Sequence, residues 1–342
     1  MKAAYQTAIE GGQRIRCDLC PHHCVMKEGE TGICRVRGVR GGELQALSYG
    51  QVSSAAVDPI EKKPLYHFHP GRSIFSVGGW GCNFRCEFCQ NWTISQQADL
   101  DGRAYTPERV VAEARASGSV GIAYTYNEPL VGFEFVRDCA RLAREGGLPN
   151  VLVTNGYVCR EPAADLLPLV DALNIDIKGM DEDFYHRLCH GRLNPVLDFC
   201  RQSRAAGCHV EITNLMIPNL NDGESQVRAL ARWIRHELGA ATPLHLSAYH
   251  PEYRLDAPPT PVATLRRAYA ICREDLQYVY MGNVRGAEGQ DTHCPGCEAL
   301  LISRAGYATA IRGLKDGRCA ACGRKADIVG GVYSSSAPAG GF

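Results

Sequence analysis

An α/β fold is predicted: a partial or complete TIM-like (β/α) barrel with a small Cys-rich module at each end. Three observations predict it. Between residues 66 and 285, short β-rich apolar runs alternate with amphipathic stretches. Such alternation means a parallel sheet covered by helices. Residues 1–65 and 286–333 break the pattern, and each of those segments carries its own cysteine group. A doubly wound open sheet would also accommodate the alternation. In either architecture chemistry belongs at the carboxyl ends of the strands. The tail, 334–342, is small and polar and is read as disordered.

The elements follow in order. Residues 73–79 (SIFSVGG) read as the first barrel strand. Thr106 and Pro107 supply an N-cap and a first helical residue for a helix over 107–117, with Val110, Val111 and Ala114 on one face. Strands are expected at 120–126, 150–155, 172–178, 209–217, 243–249 and 276–281. Helices are expected at 130–145, 162–170, 181–189, 195–206 and 224–238, and a further one capped by Thr260-Pro261. Six or seven β-α units result.

Bulk composition narrows the function. The 342 residues carry 37 Lys plus Arg against 37 Asp plus Glu. Such a balance gives no basic surface for phosphate backbones, so nucleic acid is not expected as a partner. No basic run argues for a membrane surface, and no apolar stretch approaches the roughly 20 residues that span a bilayer. The first residues lack the apolar core of a signal peptide, so a cytoplasmic location is expected. Against that background 17 cysteines stand out, because cytosolic thiols stay reduced and serve metals or catalysis. Six of them (Cys139, Cys159, Cys189, Cys200, Cys208 and Cys272) stand alone and read as small buried hydrophobes.

The central group, Cys82-x3-Cys86-x2-Cys89, directly follows the first barrel strand. Chance alone gives one of the 17 cysteines partners at these two offsets with a probability of about 0.04. A cubane iron–sulfur cluster with four protein thiolates is coordinatively full, and three thiolates leave one iron open. An open iron can bind the amino and carboxylate groups of S-adenosylmethionine (SAM), whose C–S bond is cleaved by one electron from the cluster. Phe88, just before the last cysteine, is placed to pack against adenine.

This Cys-x3-Cys-x2-Cys loop resembles that of the radical SAM superfamily. TYNEP (125–129) follows the second strand, where the superfamily has a motif that binds the SAM amino group. IDIKG (175–179) follows the fourth, like the Asp-x-Lys pair of glycyl-radical activases. CDLCPHHC, GETGICRVR, DPIEKKPLYHFHPG, SAYHPEYRLDAPPTP, YMGNV and DTHCPGC with LISRAGY together resemble one branch. That branch is the radical SAM enzyme of the AmmeMemoRadiSam system, also described as pyruvate formate-lyase activating enzyme-like. The resemblance spans nearly the whole chain. It implies a [4Fe–4S] cluster, SAM, an electron donor such as flavodoxin or ferredoxin, and Memo-type or other proteins of that system as partners. Two departures stand out. The expected His-Phe-Ser-Arg-Phe run is His245-Leu246-Ser247-Ala248-Tyr249 here, without its Arg, and the last knuckle, CAACG, lacks the usual Pro.

Cofactor contacts are expected from the strand ends. Glu128, with Tyr126 and Asn127 in the same turn, is placed to accept hydrogen bonds from the SAM ammonium; an ordinary surface Glu is the alternative. Asp176 and Lys178 alternate on a strand and so share a face, either as SAM contacts or as a structural ion pair. Asn155 and His250 occupy similar end positions, within reach of ribose or carboxylate. His67 and His69 read as part of a polar loop packed beneath the barrel.

The flanking groups are closed thiolate sets. Cys294-x2-Cys297 and Cys319-x2-Cys322 form paired knuckles that suit a structural zinc ion. Cys17, Cys20, Cys24 and Cys34, with His22 and His23 as possible replacements, would hold zinc or a second cluster. Disulfides are disfavoured by compartment. Three functions follow: a radical SAM enzyme that abstracts hydrogen from a substrate such as a protein, a glycyl-radical-enzyme activase, or a non-enzymatic zinc-binding interaction module. Activases usually carry the triad near the N-terminus and lack C-terminal knuckles. The zinc module leaves the three-thiolate site unexplained.

Overall fold

Eight strands form one sheet whose spatial order is the chain order. They are β1 (Ser54–Pro59), β2 (Ser73–Gly78), β3 (Ile122–Tyr124), β4 (Asn150–Thr154), β5 (Ala172–Asp176), β6 (His209–Met216), β7 (Leu244–Ala248) and β8 (Val279–Gly282). Those come from a computed structural model that describes residues 1–97, 102–284, 286 and 288–330. The tail expected to be disordered, 334–342, lies outside the described residues. From β2 to β8 every pairing is parallel. Only β1 runs antiparallel, against β2. The order never reverses, which removes the doubly wound alternative, and β1 and β8 are the two ends of the sheet, so the barrel is partial.

β1 was not expected. Its sequence, SAAVDP, lacks a bulky apolar alternation because it is an edge strand with most side chains outside the core. The helices packed on the sheet are α1 (Pro107–Ala116), α2 (Phe133–Glu145), α3 (Arg160–Leu166), α4 (Leu193–Ala205), α5 (Glu224–Glu237) and α6 (Val262–Arg273). Thr106 caps α1 as expected, its hydroxyl accepting from the Arg109 N–H at 3.3 Å. Val110 and Ala114 are buried beneath it, with Val111 half-buried beside them. Two expectations need correction. Thr260 does not cap α6, which starts from Pro261. Its hydroxyl accepts from Tyr249 N at 2.9 Å and donates to Met216 O at 2.5 Å, tying the ends of β6 and β7 together. The helix expected over 181–189 is a short α-turn, Glu182–Phe184, followed by a wide π-turn, Tyr185–Cys189. A left-handed His190 (φ 56°) ends it.

The amino end of the barrel is plugged by residues 60–69. Ile60, Leu65 and Phe68 pack against Ile74, Ala123, Val151 and Ala172 at or near the amino ends of four strands. The polar anchor is Glu211, fully buried on β6. Its carboxylate accepts from the backbone N–H groups of Tyr66 (3.0 Å) and His67 (2.7 Å), and pairs with His209 (2.9 Å) and His245 (2.6 Å). The histidine segment is thus a loop packed beneath the barrel, as its sequence predicts.

Both flanking modules lock onto this frame. Arg304 of the C-terminal module donates to Tyr66 O at 2.8 Å and lies 4.2 Å over the Tyr66 ring. Val329 N donates to His67 O at 2.7 Å, and His69 N to Val329 O at 2.8 Å. In the N-terminal module, Arg37 and Glu134 of α2 form a buried ion pair at 2.8 Å. Each of these two side chains also bonds the backbone of Ala4. Cys139, Cys189, Cys200, Cys208 and Cys272 are buried, as expected, whereas Cys159 is half-buried.

A pH dependence follows from His67. Burial lowers its pKa from 6.5 to about 4. Its Nδ1 lies 2.7 Å from Asp327 O and its Nε2 2.6 Å from the Tyr280 hydroxyl, so both ring nitrogens are engaged and full burial is what disfavours the charged ring. The unfolded chain takes up this proton below about 6.5 and the folded chain only near 4. Stability should therefore fall as pH drops through that window, by on the order of 3 kcal/mol. Thermal melts of wild type and His67→Asn should converge as pH falls from 6.5 to 4; a constant gap would remove His67 as the cause.

Candidate functional site

At the carboxyl end of the barrel opens a cavity of about 570 Å³. Its rim is the loop that follows β2. Gly81 (φ +81°) makes the turn, and a Cβ there would lie 2.4 Å from the Cys34 carbonyl oxygen, so only glycine fits. Asn127 clamps the same turn: its Oδ1 accepts from Gly79 N at 2.8 Å and its Nδ2 donates to Gly81 O at 3.0 Å. Farther along, Arg85 N and Glu87 N donate to the carbonyls of Cys189 and Leu188 at the end of the π-turn. The Glu87 carbonyl accepts from Arg254 and Leu255. Held on these sides, Cys82, Cys86 and Cys89 all face the cavity, as does Phe88.

Two donors reach Cys82 Sγ, the Phe84 N–H at 3.3 Å and Asn155 Nδ2 at 3.5 Å. Burial, aided by the charge of Glu128, pushes the Cys82 thiol well up; burial also raises Cys89. A hydrogen bond with the Cys189 thiol, together with burial, raises Cys86. Thiolates form here only as a metal displaces the protons. The three sulfurs do not converge on one point as a mononuclear site would require. Three soft donors spread along one wall of a large cavity fit a cluster with one open corner.

Across the cavity, β3 to β5 present the residues predicted to hold SAM. Glu128 is buried, and its carboxylate accepts from Thr154 Oγ1 (2.6 Å), Asn155 N (2.8 Å) and Leu130 N (3.0 Å). It is no surface Glu: it ties the β3 turn to the end of β4. Burial pushes its pKa up to about 7 despite those three donors. Asp176 and Lys178 face the cavity together and pair at 2.7 Å. Although burial opposes its charge, Asp176 holds the Lys178 ammonium protonated. Asn155 lines the cavity, its Nδ2 also donating to Asn83 Oδ1 at 2.9 Å. Tyr126 lines it too, in a left-handed conformation (φ 72°), with its hydroxyl on Asp58. His250 stands apart: it is exposed, 3.2 Å from Asn283 O, and does not line the cavity.

Sequence reasoning missed part of the wall. Lys62 and Lys63 of the DPIEKKP run line the cavity and both pair with Asp58, at 2.9 and 2.6 Å. Against burial, the hydrogen bonds from Lys63, Tyr126 and Lys62 hold the Asp58 carboxyl well below the usual carboxylate range. The signal was two adjacent lysines just past a strand that alternation did not reveal. Thr154, Thr213 and Ser247 also line the cavity. Thr213 and Ser247 lie two residues along their strands from Glu211 and His245, so they share the inward face.

The flanking cysteines separate by geometry. Among the described residues, Cys294, Cys297, Cys319 and Cys322 are the one group of three or more potential ligands whose ligand atoms all lie within 4.8 Å of one another, so this group could bind a metal ion. Cys294 Sγ is 3.6 Å from Cys322 Sγ, and Cys297 Sγ is 3.6 Å from Cys319 Sγ. The backbone N–H of Cys322 favours a thiolate at Cys319, while its neighbour Cys297 is pushed the other way. Cys17, Cys20, Cys24 and Cys34 surround a separate, small cavity with His22.

The profile of the Radical SAM superfamily matches residues 78–234 of this chain. An uncharacterized protein of Methanocaldococcus jannaschii is 49% identical over 322 residues, covering 92% of this chain and 96% of the relative. Pyruvate formate-lyase 1-activating enzyme of Escherichia coli K12 is 27% identical over 218 residues, 57% of this chain and 86% of the relative. In fold, the chain resembles a radical SAM methyltransferase from Sphaerobacter thermophilus, with a TM-score of 0.50, 20% identity, and coverage of 63% of this chain and 67% of the other. No helix among the described residues is long and apolar enough to cross a membrane.

The C-terminal knuckles make a direct prediction. The core of that module is small: Cys294, Leu301, Ile302 and Cys319. A bound ion would supply much of its folding free energy. Cys319→Ser should raise proteolysis between residues 290 and 330 by at least roughly tenfold while the barrel's circular dichroism stays unchanged. Unaltered cleavage would leave these cysteines without a structural ion.

Proposed function

Because the chain belongs to the radical SAM superfamily, we propose that Cys82, Cys86 and Cys89 hold a [4Fe–4S] cluster and that SAM occupies the cavity they face. When bound, the cluster supplies the electron that cleaves a C–S bond of SAM, giving a deoxyadenosyl radical that abstracts hydrogen from a substrate. The observation that supports this most is the shared cavity: three cysteines on one wall and Glu128, Asn155, Asp176 and Lys178 on the other.

The chain's own residues orient the cofactor. Glu128, raised to about 7 by burial, gains most from a cation, and the SAM ammonium is one. Asn155 bridges the two walls, donating to Cys82 Sγ while its backbone N–H holds Glu128, so the ammonium site and the cysteine loop keep a fixed spacing. The Asp176–Lys178 pair offers both an acceptor and a donor at the cavity surface. Phe88 is the apolar partner for adenine. His250 could serve only from outside the cavity.

The substrate we propose is a protein, reached through the open rim and belonging, with Memo-type proteins, to the AmmeMemoRadiSam system. A flavodoxin or ferredoxin would supply electrons in the cytoplasm, and zinc would fill the C-terminal site. A second reading, a glycyl-radical-enzyme activase, is favoured by similarity to relatives named as activating enzymes. Incubation of the reduced enzyme with candidate proteins, followed by mass spectrometry and by a search for a glycyl-radical spectrum, separates the two readings.

Two measurements test the cofactor assignment. Anaerobically reconstituted protein should convert SAM to 5′-deoxyadenosine and methionine, and the triple Cys82→Ala, Cys86→Ala, Cys89→Ala variant should not. Release of 5′-deoxyadenosine by that variant would end the assignment. Charge-assisted hydrogen bonds contribute roughly 1.5–3 kcal/mol, about ten- to 150-fold in affinity. Glu128→Gln and Asp176→Ala should weaken SAM binding by that order while iron content holds, and Lys178→Ala should act less. If these variants lower thermal stability and leave SAM affinity unchanged, the charges serve only the fold.

A further inference from the structure

We propose that Cys17, Cys20, Cys24 and Cys34 hold a second [4Fe–4S] cluster, coordinatively closed and built against the back of the loop that carries Cys82. The site itself does not rest on the SAM reading; its use in electron transfer does.

Sulfur geometry separates the two four-cysteine sets. A single zinc ion with bonds of about 2.3 Å sets its thiolates about 3.8 Å apart. The C-terminal set meets that requirement, with contacts of 3.6 Å. The N-terminal set does not: no three of its sulfurs lie within 4.8 Å of one another, although all four surround one cavity. The same wide spacing marks the Cys82, Cys86 and Cys89 triad. In a cubane each thiolate binds a different iron, so the ligands stand farther apart than around one ion.

The N-terminal cavity is also lined by a residue whose buried donor has no acceptor. Arg37 is 1% exposed and lines this cavity. Its terminal nitrogens serve Glu134 and Ala4, but its buried Nε has no hydrogen-bond partner. A buried donor left unmet is costly. The sulfur of an anionic cluster would satisfy it. No carboxylate lines the cavity, which disfavours a hard cation. His23 faces Asp18 at 3.2 Å, and His22 Nε2 is engaged by Asn83 O at 2.8 Å, which leaves the four thiolates as the matched ligand set.

Position assigns the role. Asn83 lines the N-terminal cavity and is the chain neighbour of Cys82. The Cys34 carbonyl packs on Gly81, and Arg85 donates to Ile33 O. The two sites therefore share a wall. Four thiolates leave no open iron, so the second cluster can only accept and release an electron. One electron would pass from a low-potential one-electron donor protein to the N-terminal cluster and on to the first, with no bond made or broken.

The test uses the full-length chain without its triad (Cys82→Ala, Cys86→Ala, Cys89→Ala), reconstituted anaerobically. It should retain about four iron and four sulfide per chain and, once reduced, give an electron paramagnetic resonance signal that SAM does not alter. Zinc at both flanking sites with no sulfide would overturn the proposal. In an otherwise wild-type chain, Cys20→Ser should lose about half of the iron and keep a SAM-sensitive signal; full iron retention would also overturn it. If Cys20→Ser misfolds, the triad-free protein still decides. For the relay, Cys20→Ser should slow reduction of the first cluster by flavodoxin about tenfold and leave reduction by dithionite unchanged; equal rates with both would remove the relay. Iron in the triad-free variant beside a wild type that leaves SAM intact would sink the SAM reading alone.

Discussion

A carboxylate out of reach of water, Glu211, sets the conditions for the rest of the molecule. Burying such a charge is costly unless partners compensate it, and here they come from three segments: the plug backbone at Tyr66 and His67, His209 on its own strand, and His245 on β7. Those hydrogen bonds hold Glu211 well below the usual carboxylate range against full desolvation. The plug is thereby fixed under the strands, with Asn174 Nδ2 adding a bond to Pro64 O at 2.8 Å. A partial barrel plugged at its amino end leaves the carboxyl-end cavity as its working face. The C-terminal module reinforces that closure through Arg304 and the 327–329 segment rather than adding to the cavity.

The same constraint explains the order of the functional wall. Along β6, residues 211, 213 and 215 face inward, so a strand that supplies a structural carboxylate at its base supplies Thr213 and Leu215 to the cavity above. β7 repeats this with His245 below and Ser247 above. Base and rim are two layers of one set of inward positions.

How much of this was legible depends on range along the chain. Strand and helix alternation is a local signal, and the seven parallel strands followed it. Local cysteine spacing revealed the triad and both flanking sets. β1 escaped because an edge strand has no buried period-two pattern. Thr260 misled because a Thr-Pro pair also suits a crossing between strand ends, and only the fold shows Met216 and Tyr249 beside it. The Glu211 cluster was invisible for a stronger reason: its partners lie at positions 66, 67, 209 and 245, and no short motif joins them. Glu128 was legible as a site residue from its turn, but its three internal hydrogen bonds depend on how β3 and β4 align.

The charges around the cavity do not all cancel locally. Asp176 and Lys178 cancel at 2.7 Å. Asp58 faces two ammonium groups, Lys62 and Lys63, which leaves that side with one cation in excess. Glu128 is held by two backbone N–H groups and one hydroxyl, with no cation among its hydrogen-bond partners. The lining therefore presents an uncompensated cation and an uncompensated carboxylate. That arrangement is electrostatically complementary to a zwitterion. Burial raises Glu128 to about 7, so without a ligand the carboxyl is partly protonated near neutrality; an ammonium at that point would draw it toward its ionised form. Occupancy by a zwitterion would thus complete the electrostatics of the rim, as Glu211 and its partners complete those of the base.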